Sequence, residues 1–129
     1  MLKGSCLCKA VSIEVDTELS EVEACHCSKC RKFSGHIGAT TEIPLASLVI
    51  YGEEQISWYV SSEKARRGFC SCCGSSLFFD PLDKTKHDWI GVYMGVFDTP
   101  TNTTMGLHIF VGDKGDYYQI DDDLPQNIN

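Results

Sequence analysis

The stretch Cys70-Ser71-Cys72-Cys73-Gly74 is rich in thiols, and a second such stretch, Cys6-Leu7-Cys8, stands more than 60 residues before it. Thiolates spaced as C-x-C or C-x-x-C can place two sulfurs on one tetrahedral ion, and zinc is the natural metal for such soft ligands. Four sulfurs close a tetrahedron, so the two stretches together could form one sealed structural site. Its ligands would be Cys6, Cys8, Cys70 and Cys73. A metal there would clip a long loop and pin the sheet, because metal-binding energy in such sites is folding energy.

A third cysteine-rich stretch lies between these two and reads Cys25-His26-Cys27-Ser28-Lys29-Cys30. If the outer stretches share one ion, then Cys25, Cys27 and Cys30 remain as a set of three ligands. A zinc ion with three protein ligands keeps one position open for water or substrate, which is the arrangement of catalytic zinc. The sequence therefore predicts one closed metal site and one open metal site.

The length and composition are those of one globular domain over residues 1–129, with 43% hydrophobic residues. The first four residues lack the apolar run of a signal peptide, and no stretch reaches the roughly 20 apolar residues of a membrane span. We therefore expect a cytoplasmic protein without a membrane partner, in which reduced cysteines bind metal and do not form disulfides.

The net charge of the protein indicates whether it can bind nucleic acid. The formal net charge is -7, and seven bound thiolates with two divalent ions would bring it to about -10, since ligand thiols are deprotonated. An acidic surface of this kind repels phosphate backbones. The sequence therefore predicts that the protein has no nucleic-acid partner, although zinc clusters often indicate one.

Most of the chain shows the period-two pattern of β-strands. Val11, Ile13 and Val15 alternate with polar residues, as in a half-buried strand. Further predicted strands, separated by turn signals, are Ile37–Ile43, Leu48–Tyr51, Ile56–Val60, Ser76–Phe79, Trp89–Met94, Leu107–Val111 and Tyr117–Ile120. Only Ser28–Phe33 and Pro44–Leu48 are predicted to form a helical turn. The pattern predicts a single all-β domain with its cysteine clusters on turns and with Cys6 and Cys8 at the start of the first strand.

The cysteine clusters, their order and their neighbours resemble one family. The stretches that carry the resemblance are Gly4–Cys8, Cys25–Lys32 and Phe69–Gly74, with weaker support from His108–Val111 and Tyr117–Pro125. They are similar to the glutathione-dependent formaldehyde-activating enzymes, which share a domain with centromere protein V. The resemblance covers nearly the whole chain, from about residue 4 to residue 126. The chain departs from the common pattern at Cys72 and at Gly115-Asp116-Tyr117, where members often carry a proline-tryptophan pair.

The resemblance implies a single zinc domain of folded-over antiparallel β-sheets with two zinc ions per chain. In that family the first and third clusters hold a structural zinc, here on Cys6, Cys8, Cys70 and Cys73. The middle cluster holds a second zinc, here on Cys25, Cys27 and Cys30. The named activity of the family is addition of glutathione to formaldehyde to give S-hydroxymethylglutathione, and the reverse reaction is that of a carbon–sulfur lyase.

The chemistry of an open three-thiolate zinc agrees with such a reaction. Three thiolates and Zn²⁺ sum to a charge of about -1, which makes the ion a weak Lewis acid for activating water. It can still hold an incoming thiol as the nucleophilic thiolate. We therefore predict that Cys25, Cys27 and Cys30 hold the zinc at which a small thiol such as glutathione meets an electrophilic carbon such as that of formaldehyde.

Glutathione carries two carboxylates, and basic side chains beside the clusters are candidates to bind them. Lys29, Arg31 and Lys32 flank the middle cluster, and Lys64, Arg66 and Arg67 precede the third. For any single one of these residues, a solvated surface position is the alternative interpretation.

The histidines and the remaining cysteine have alternative interpretations. His26 stands between two predicted ligands, and its imidazole is expected to point away from the metal, with ligation of the metal as the alternative. His108 lies in an apolar strand. It is interpreted as a partner of the site, as a proton shuttle or as a packed histidine of the core or surface. Cys72 is predicted to be a thiol outside the metal sites, and an alternative metal ligand or a redox group is the other interpretation. Because no general acid or base stands beside the middle cluster, the alternative function is a non-catalytic, zinc-stabilised protein-binding module.

Overall fold

The computed structural model describes residues 1–129 as ten β-strands, one α-helix and four short 3₁₀ helices. The strands are β1 (Leu2–Ser5), β2 (Ser12–Val15), β3 (Val22–Cys25), β4 (Gly38–Pro44), β5 (Leu48–Tyr51), β6 (Ile56–Val60), β7 (Ala65–Cys70), β8 (Ser76–Pro81), β9 (Trp89–Tyr93) and β10 (Met105–Ile109). Helix α1 spans Ser28–Ser34, and the 3₁₀ helices span Leu45–Ser47, Glu53–Gln55, Met94–Val96 and Val111–Asp113. No helix combines the length and apolar character that crossing a membrane requires.

The strands form two sheets. The smaller sheet has the order β1-β2-β5, and the larger has the order β10-β3-β4-β9-β8-β7-β6. All neighbouring pairs are antiparallel except β10 and β3, which run parallel with Ile109 opposite Cys25. The predicted all-β fold is confirmed, and the larger sheet is mixed because of this one parallel pair.

Both sheets contribute side chains to one hydrophobic core. Ile13 and Val15 of β2 are buried together with Ile43 of β4 and with Phe78 and Val92 of β8 and β9. Burial of this continuous apolar cluster stabilises the fold. The alternating pattern that starts at Val11 is therefore confirmed as the inner face of a strand.

Several predicted elements have the predicted positions. The bounds of β5 and β6 are those read from the sequence, and β4, β8, β9 and β10 differ from the predicted strands by two residues or fewer at each end. The predicted helical turn at Ser28–Phe33 is α1, and the one at Pro44–Leu48 is the first 3₁₀ helix.

Other predictions were wrong or incomplete. The segment Tyr117–Ile120 is not a strand. Cys6 and Cys8 do not start the first strand, because β1 precedes them and they lie in the turn that connects β1 to β2. Strands β1, β3 and β7 were not predicted. Each is poor in the β-branched and aromatic residues that indicate a strand, and β7 contains two arginines and a glycine.

Candidate functional site

The first and third cysteine stretches meet in space. The Sγ atoms of Cys6 and Cys8 lie 3.7 Å apart, and those of Cys8 and Cys70 lie 3.8 Å apart. Zn–S bonds of about 2.3 Å at tetrahedral angles place two sulfurs about 3.8 Å apart, so this spacing fits a zinc ion. The group is completed by Cys73, and its four sulfurs all lie within 4.8 Å of one another. We call Cys6, Cys8, Cys70 and Cys73 the closed group; their role as ligands of zinc stays a prediction.

Tight turns shape the closed group. The Cys6 amide donates to the Val11 carbonyl, and the Gly74 amide donates to the Cys70 carbonyl at 2.8 Å. Gly74 has a φ of 78°, the left-handed conformation expected from its position after the third stretch. Hydrogen bonds from the hydroxyl and amide of Ser75 lower the pKa of Cys73 to about 5. This thiol is therefore a thiolate at neutral pH, the form that binds metal.

The middle stretch forms a second group at the junction of β3 and α1. Cys25 ends β3, Cys27 is the N-cap of α1, and Cys30 lies in the first turn of that helix. Their sulfurs lie within 4.8 Å of one another. We call Cys25, Cys27 and Cys30 the open group. Its sulfur donors, like those of the closed group, have a spacing that suits zinc.

The cap position of Cys27 affects its charge. The Cys27 Sγ accepts a hydrogen bond from the Cys30 amide at 3.3 Å. Hydrogen bonds from Cys25 and Cys30 and from the amides of the first helical turn hold the pKa of Cys27 well below its usual range. The pKa of Cys25 is raised by its contact with Cys27. The negative charge of the metal-free group is therefore centred on Cys27.

The two groups differ in access to solvent. A cavity of about 960 Å³ opens between α1, the β6–β7 turn and the ends of β9 and β10, and all three sulfur residues of the open group line it. None of the four residues of the closed group lines it. The open group is therefore the one that a small molecule could reach.

A buried arginine lies beside the open group. Arg67 of β7 is only 4% exposed, and its Nη1 donates to the Cys30 Sγ at 3.4 Å and to the Tyr93 hydroxyl at 3.0 Å. A bulge between Gly68 and Phe69 shifts the register of β7, so that Arg67 and Cys70 are both buried although they lie three positions apart. One strand thus supplies the open group with a cation and the closed group with a sulfur.

A chain of hydrogen bonds connects the middle stretch to the C-terminal segment. The imidazole of His26 is directed away from the open group, as predicted: its Nδ1 contacts the Tyr118 hydroxyl at 2.5 Å and its Nε2 contacts His108 Nδ1 at 2.8 Å. His108 Nε2 contacts a carboxylate oxygen of Asp122 at 2.9 Å. Because the carboxylate only accepts, the protons run in one direction, from Tyr118 to His26, from His26 to His108 and from His108 to Asp122. His108 is thus a partner of the site and not an isolated core residue.

The comparison with protein families agrees with this geometry. The family model described as glutathione-dependent formaldehyde-activating enzyme matches residues 1–113, which include both cysteine groups and Arg67. The chain belongs to this family.

Two relatives show the same similarity over most of their length. An uncharacterized lyase of Schizosaccharomyces pombe is 29% identical over 119 residues, covering 90% of this chain and 82% of the relative. A putative glutathione-dependent formaldehyde-activating enzyme of Halomonas elongata is 29% identical over 131 residues, covering 94% of this chain and 82% of the relative.

In this formaldehyde-activating family member, some of the predicted basic residues line the cavity and others do not. Lys29, Lys64 and Arg67 line it. Arg66 does not, because it stacks on Trp58 with its guanidinium carbon 3.9 Å from the ring centroid and pairs with Asp80 at 2.9 Å. Arg31 and Lys32 do not line the cavity either, so their contact with a substrate stays a prediction without support from this geometry.

The remaining thiol and histidines also have defined positions. Cys72 is exposed, lies outside both groups and donates to the Gln55 side chain at 3.1 Å. His36 contacts the Tyr117 hydroxyl at 2.6 Å, although no local pattern indicated a partner. His87 lines the cavity.

Three residues of the site were not predicted from the sequence: Tyr93, Tyr118 and Asp122. Tyr118 and Asp122 lie beyond the segment that the family model matches. An acidic run and a pair of tyrosines after the last strand were the available signals, and they have no period or spacing that points to a site.

Proposed function

We propose that this chain is a zinc-dependent carbon–sulfur lyase that adds a small thiol, such as glutathione, to an aldehyde, such as formaldehyde, and catalyses the reverse cleavage. The observation that carries the proposal is that the open group lines the cavity and the closed group does not. The family and the names of the two relatives support the same reaction class.

Each group would hold its own zinc ion, and the two ions would have different roles. Four sulfurs satisfy the tetrahedral coordination of a structural zinc, so the closed group would stabilise the fold. At the open group, a zinc ion would supply one further coordination position and the charge that favours the thiolate form of an incoming thiol.

The cavity has the size and charge for a zwitterionic thiol. Its volume of about 960 Å³ is at the upper end of the roughly 300–1,000 Å³ range of small-molecule sites. Its basic residues are Lys29, Lys64, Arg67 and Lys86, and its acidic residues are Glu23, Glu42, Glu63, Asp83 and Asp113. Glutathione carries two carboxylates and one ammonium group, and the cavity offers side chains of opposite charge to both kinds of group. The aromatic rings of Phe79, Trp89 and Phe110 also line the cavity and reduce the access of water to the reacting groups.

The Cys27→Ser variant tests the proposal with little disturbance of the fold. Serine is a preferred helix N-cap, so it keeps the cap that the Cys27 sulfur provides to the Cys30 amide while it removes one thiolate. We expect the variant to fold, to keep one tightly held zinc per chain and to lose turnover of glutathione and formaldehyde. Cys72→Ser is the matched control, because Cys72 is exposed and lies outside both groups.

The opposite results support the alternative function. If the wild-type protein, with two zinc ions, turns over no thiol and aldehyde, the enzyme proposal fails. If Cys27→Ser unfolds while Cys72→Ser does not, both metals serve the fold, as in a zinc-stabilised protein-binding module.

A further inference from the structure

The most unusual charge in the molecule is that of Arg67. Its side chain is almost completely buried and forms no ion pair with a carboxylate. Its nearest acceptors are the Cys30 sulfur, the Tyr93 hydroxyl and the Ser61 hydroxyl, the last at 3.2 Å from Nε. Buried charges are normally paired, and a Cys30 sulfur that binds metal would be a thiolate and so the partner of opposite charge.

One end of the guanidinium remains free. The hydrogen bonds of Arg67 use Nε and Nη1, and Nη2 has no acceptor in the protein. Nη2 is not enclosed either, since the one buried side-chain nitrogen without a partner is Nε of Arg31. Arg67 lines the cavity, so the Nη2 hydrogens are available to a molecule bound there.

Packing holds the guanidinium plane in place. Its carbon lies 5.2 Å from the centroid of the Phe79 ring and 5.7 Å from that of Phe33. Arginine presents its donors in a rigid planar fork. With one arm on the Cys30 sulfur, the other arm is therefore fixed beside the open group before any substrate binds.

We propose that Arg67 is a catalytic residue that binds the aldehyde oxygen through Nη2 and stabilises the negative charge that this oxygen gains in the reaction. The inference rests on the proposed function and adds a position for the electrophile. The other basic residues around the cavity offer partners to the carboxylates of the thiol, whereas Arg67 connects the Cys30 sulfur to a free donor.

The step is balanced without a further reactant. The thiolate sulfur donates an electron pair to the carbonyl carbon, a C–S bond forms, and the π electrons of the C=O bond move to oxygen beside Nη2. Solvent accepts the proton of the thiol and returns one to the oxygen, which gives the hydroxymethyl thioether. In the reverse direction the hydroxyl loses its proton to solvent, the C=O bond re-forms, and the C–S electron pair leaves with sulfur.

The test compares Arg67→Lys with Arg66→Lys. A lysine at position 67 keeps a positive charge beside Cys30 but lacks the second arm of the fork. The control arginine is the adjacent residue of β7 and lies outside the cavity. For each variant we would measure zinc per chain, glutathione affinity by calorimetry, and kcat and KM for formaldehyde at saturating glutathione.

We expect Arg67→Lys to keep both zinc ions and its glutathione affinity and to lose about 100- to 1,000-fold in kcat, the usual effect of removing one donor to a developing oxyanion. Arg66→Lys should match the wild type. The inference is overturned if Arg67→Lys turns over normally, or if its main defect is weaker glutathione binding, since Arg67 would then bind the thiol.

Two further results are also decisive. If Arg67→Lys loses the second zinc or its fold, Arg67→Gln, which keeps a neutral N–H donor, is measured next. An Arg67→Gln protein with normal zinc content and normal kcat would again overturn the inference. An inactive wild-type protein would refute the proposed function itself, whereas an active wild type with an active Arg67→Lys variant refutes only the role of Arg67.

Discussion

The backbone of Gly38 lies directly against the side chain of Cys30. A Cβ atom at position 38 would lie 2.9 Å from the Cβ and 3.1 Å from the Sγ of Cys30. Gly38 begins β4 and pairs with Cys25 across the sheet. Only a residue without a side chain lets β4 pass this close behind two members of the open group.

The Gly38→Ala variant should therefore weaken metal binding at the open group. The added methyl group must displace Cys30, and such overpacking costs about 1–3 kcal/mol. This corresponds to a loss of about 5- to 150-fold in zinc affinity, measured by competition with a chromophoric chelator. Gly95→Ala is the control, because a Cβ at Gly95 meets no atom within 4 Å. Equal zinc affinities for the two variants would contradict the prediction.

The exposed residue Cys8 should matter for stability as if it were buried. Its sulfur contacts those of Cys6 and Cys70, and in the closed group it would be one of four ligands. Substitutions at exposed positions usually change stability by no more than about 0.5 kcal/mol. Loss of a structural zinc ligand costs several kcal/mol, so we expect Cys8→Ser to lower the melting temperature by at least about 10 °C. The exposed Cys72 provides the control, and a similar small change for both serine variants would show that Cys8 binds no metal.

The sequence predicted the grouping of the sulfurs better than the surroundings of the groups. Ligand spacing is a local property, so Cys25, Cys27 and Cys30 could be recognised without knowledge of the fold. Arg67 was noticed only as one basic residue among several, because β7 was not predicted and its bulge hides the alternation that would place the side chain inside. Burial of an arginine depends on neighbours that sequence periodicity does not reveal.

The C-terminal segment shows the same limit. The contact between His26 and Tyr118 joins residues 92 positions apart. The aromatic pair at Tyr117 and Tyr118 favoured a strand by composition. Their hydroxyl groups instead contact the imidazoles of His26 and His36. Tertiary hydrogen bonds thus determined the conformation where intrinsic propensity predicted a strand.

The contact between His108 and Asp122 predicts a pH dependence of stability. Hydrogen bonds from His108 and from the Leu124 amide lower the pKa of Asp122 below its usual value, which is about 3.9. The unfolded chain therefore binds this proton more tightly than the folded protein. The contribution of Asp122 to stability is complete above the unfolded pKa and is lost as the pH falls through the folded pKa.

This dependence can be measured by urea unfolding of the wild type and of Asp122→Asn at a series of pH values. The free energy of unfolding should be higher for the wild type by a constant amount above about pH 5, and the difference should shrink below about pH 4. Asp121→Asn is the control, because the adjacent carboxylate forms no side-chain hydrogen bond. If the difference in the free energy of unfolding between wild type and Asp122→Asn does not change with pH, the Asp122 carboxylate is not the source of that difference.

The hydroxyl of Tyr118 should help to retain metal at the open group. It donates to Nδ1 of His26, a side chain that is only 1% exposed. In Tyr118→Phe this buried nitrogen loses its donor, which costs about 1–3 kcal/mol. Because His26 stands between Cys25 and Cys27, the cost should appear as faster zinc loss from the open group, by about 5-fold or more.

The matched control is Tyr117→Phe. It removes the hydroxyl that contacts His36, and His36 is exposed, so water can replace the lost donor. Stopped-flow measurement of zinc transfer to a chelator should therefore show a faster phase for Tyr118→Phe and wild-type kinetics for Tyr117→Phe. If both variants release zinc at the wild-type rate, the hydrogen-bond chain from Tyr118 to Asp122 holds the C-terminal segment in place but does not support the metal site. If both release it faster by the same factor, the effect belongs to the aromatic pair as a whole and not to the hydroxyl on His26.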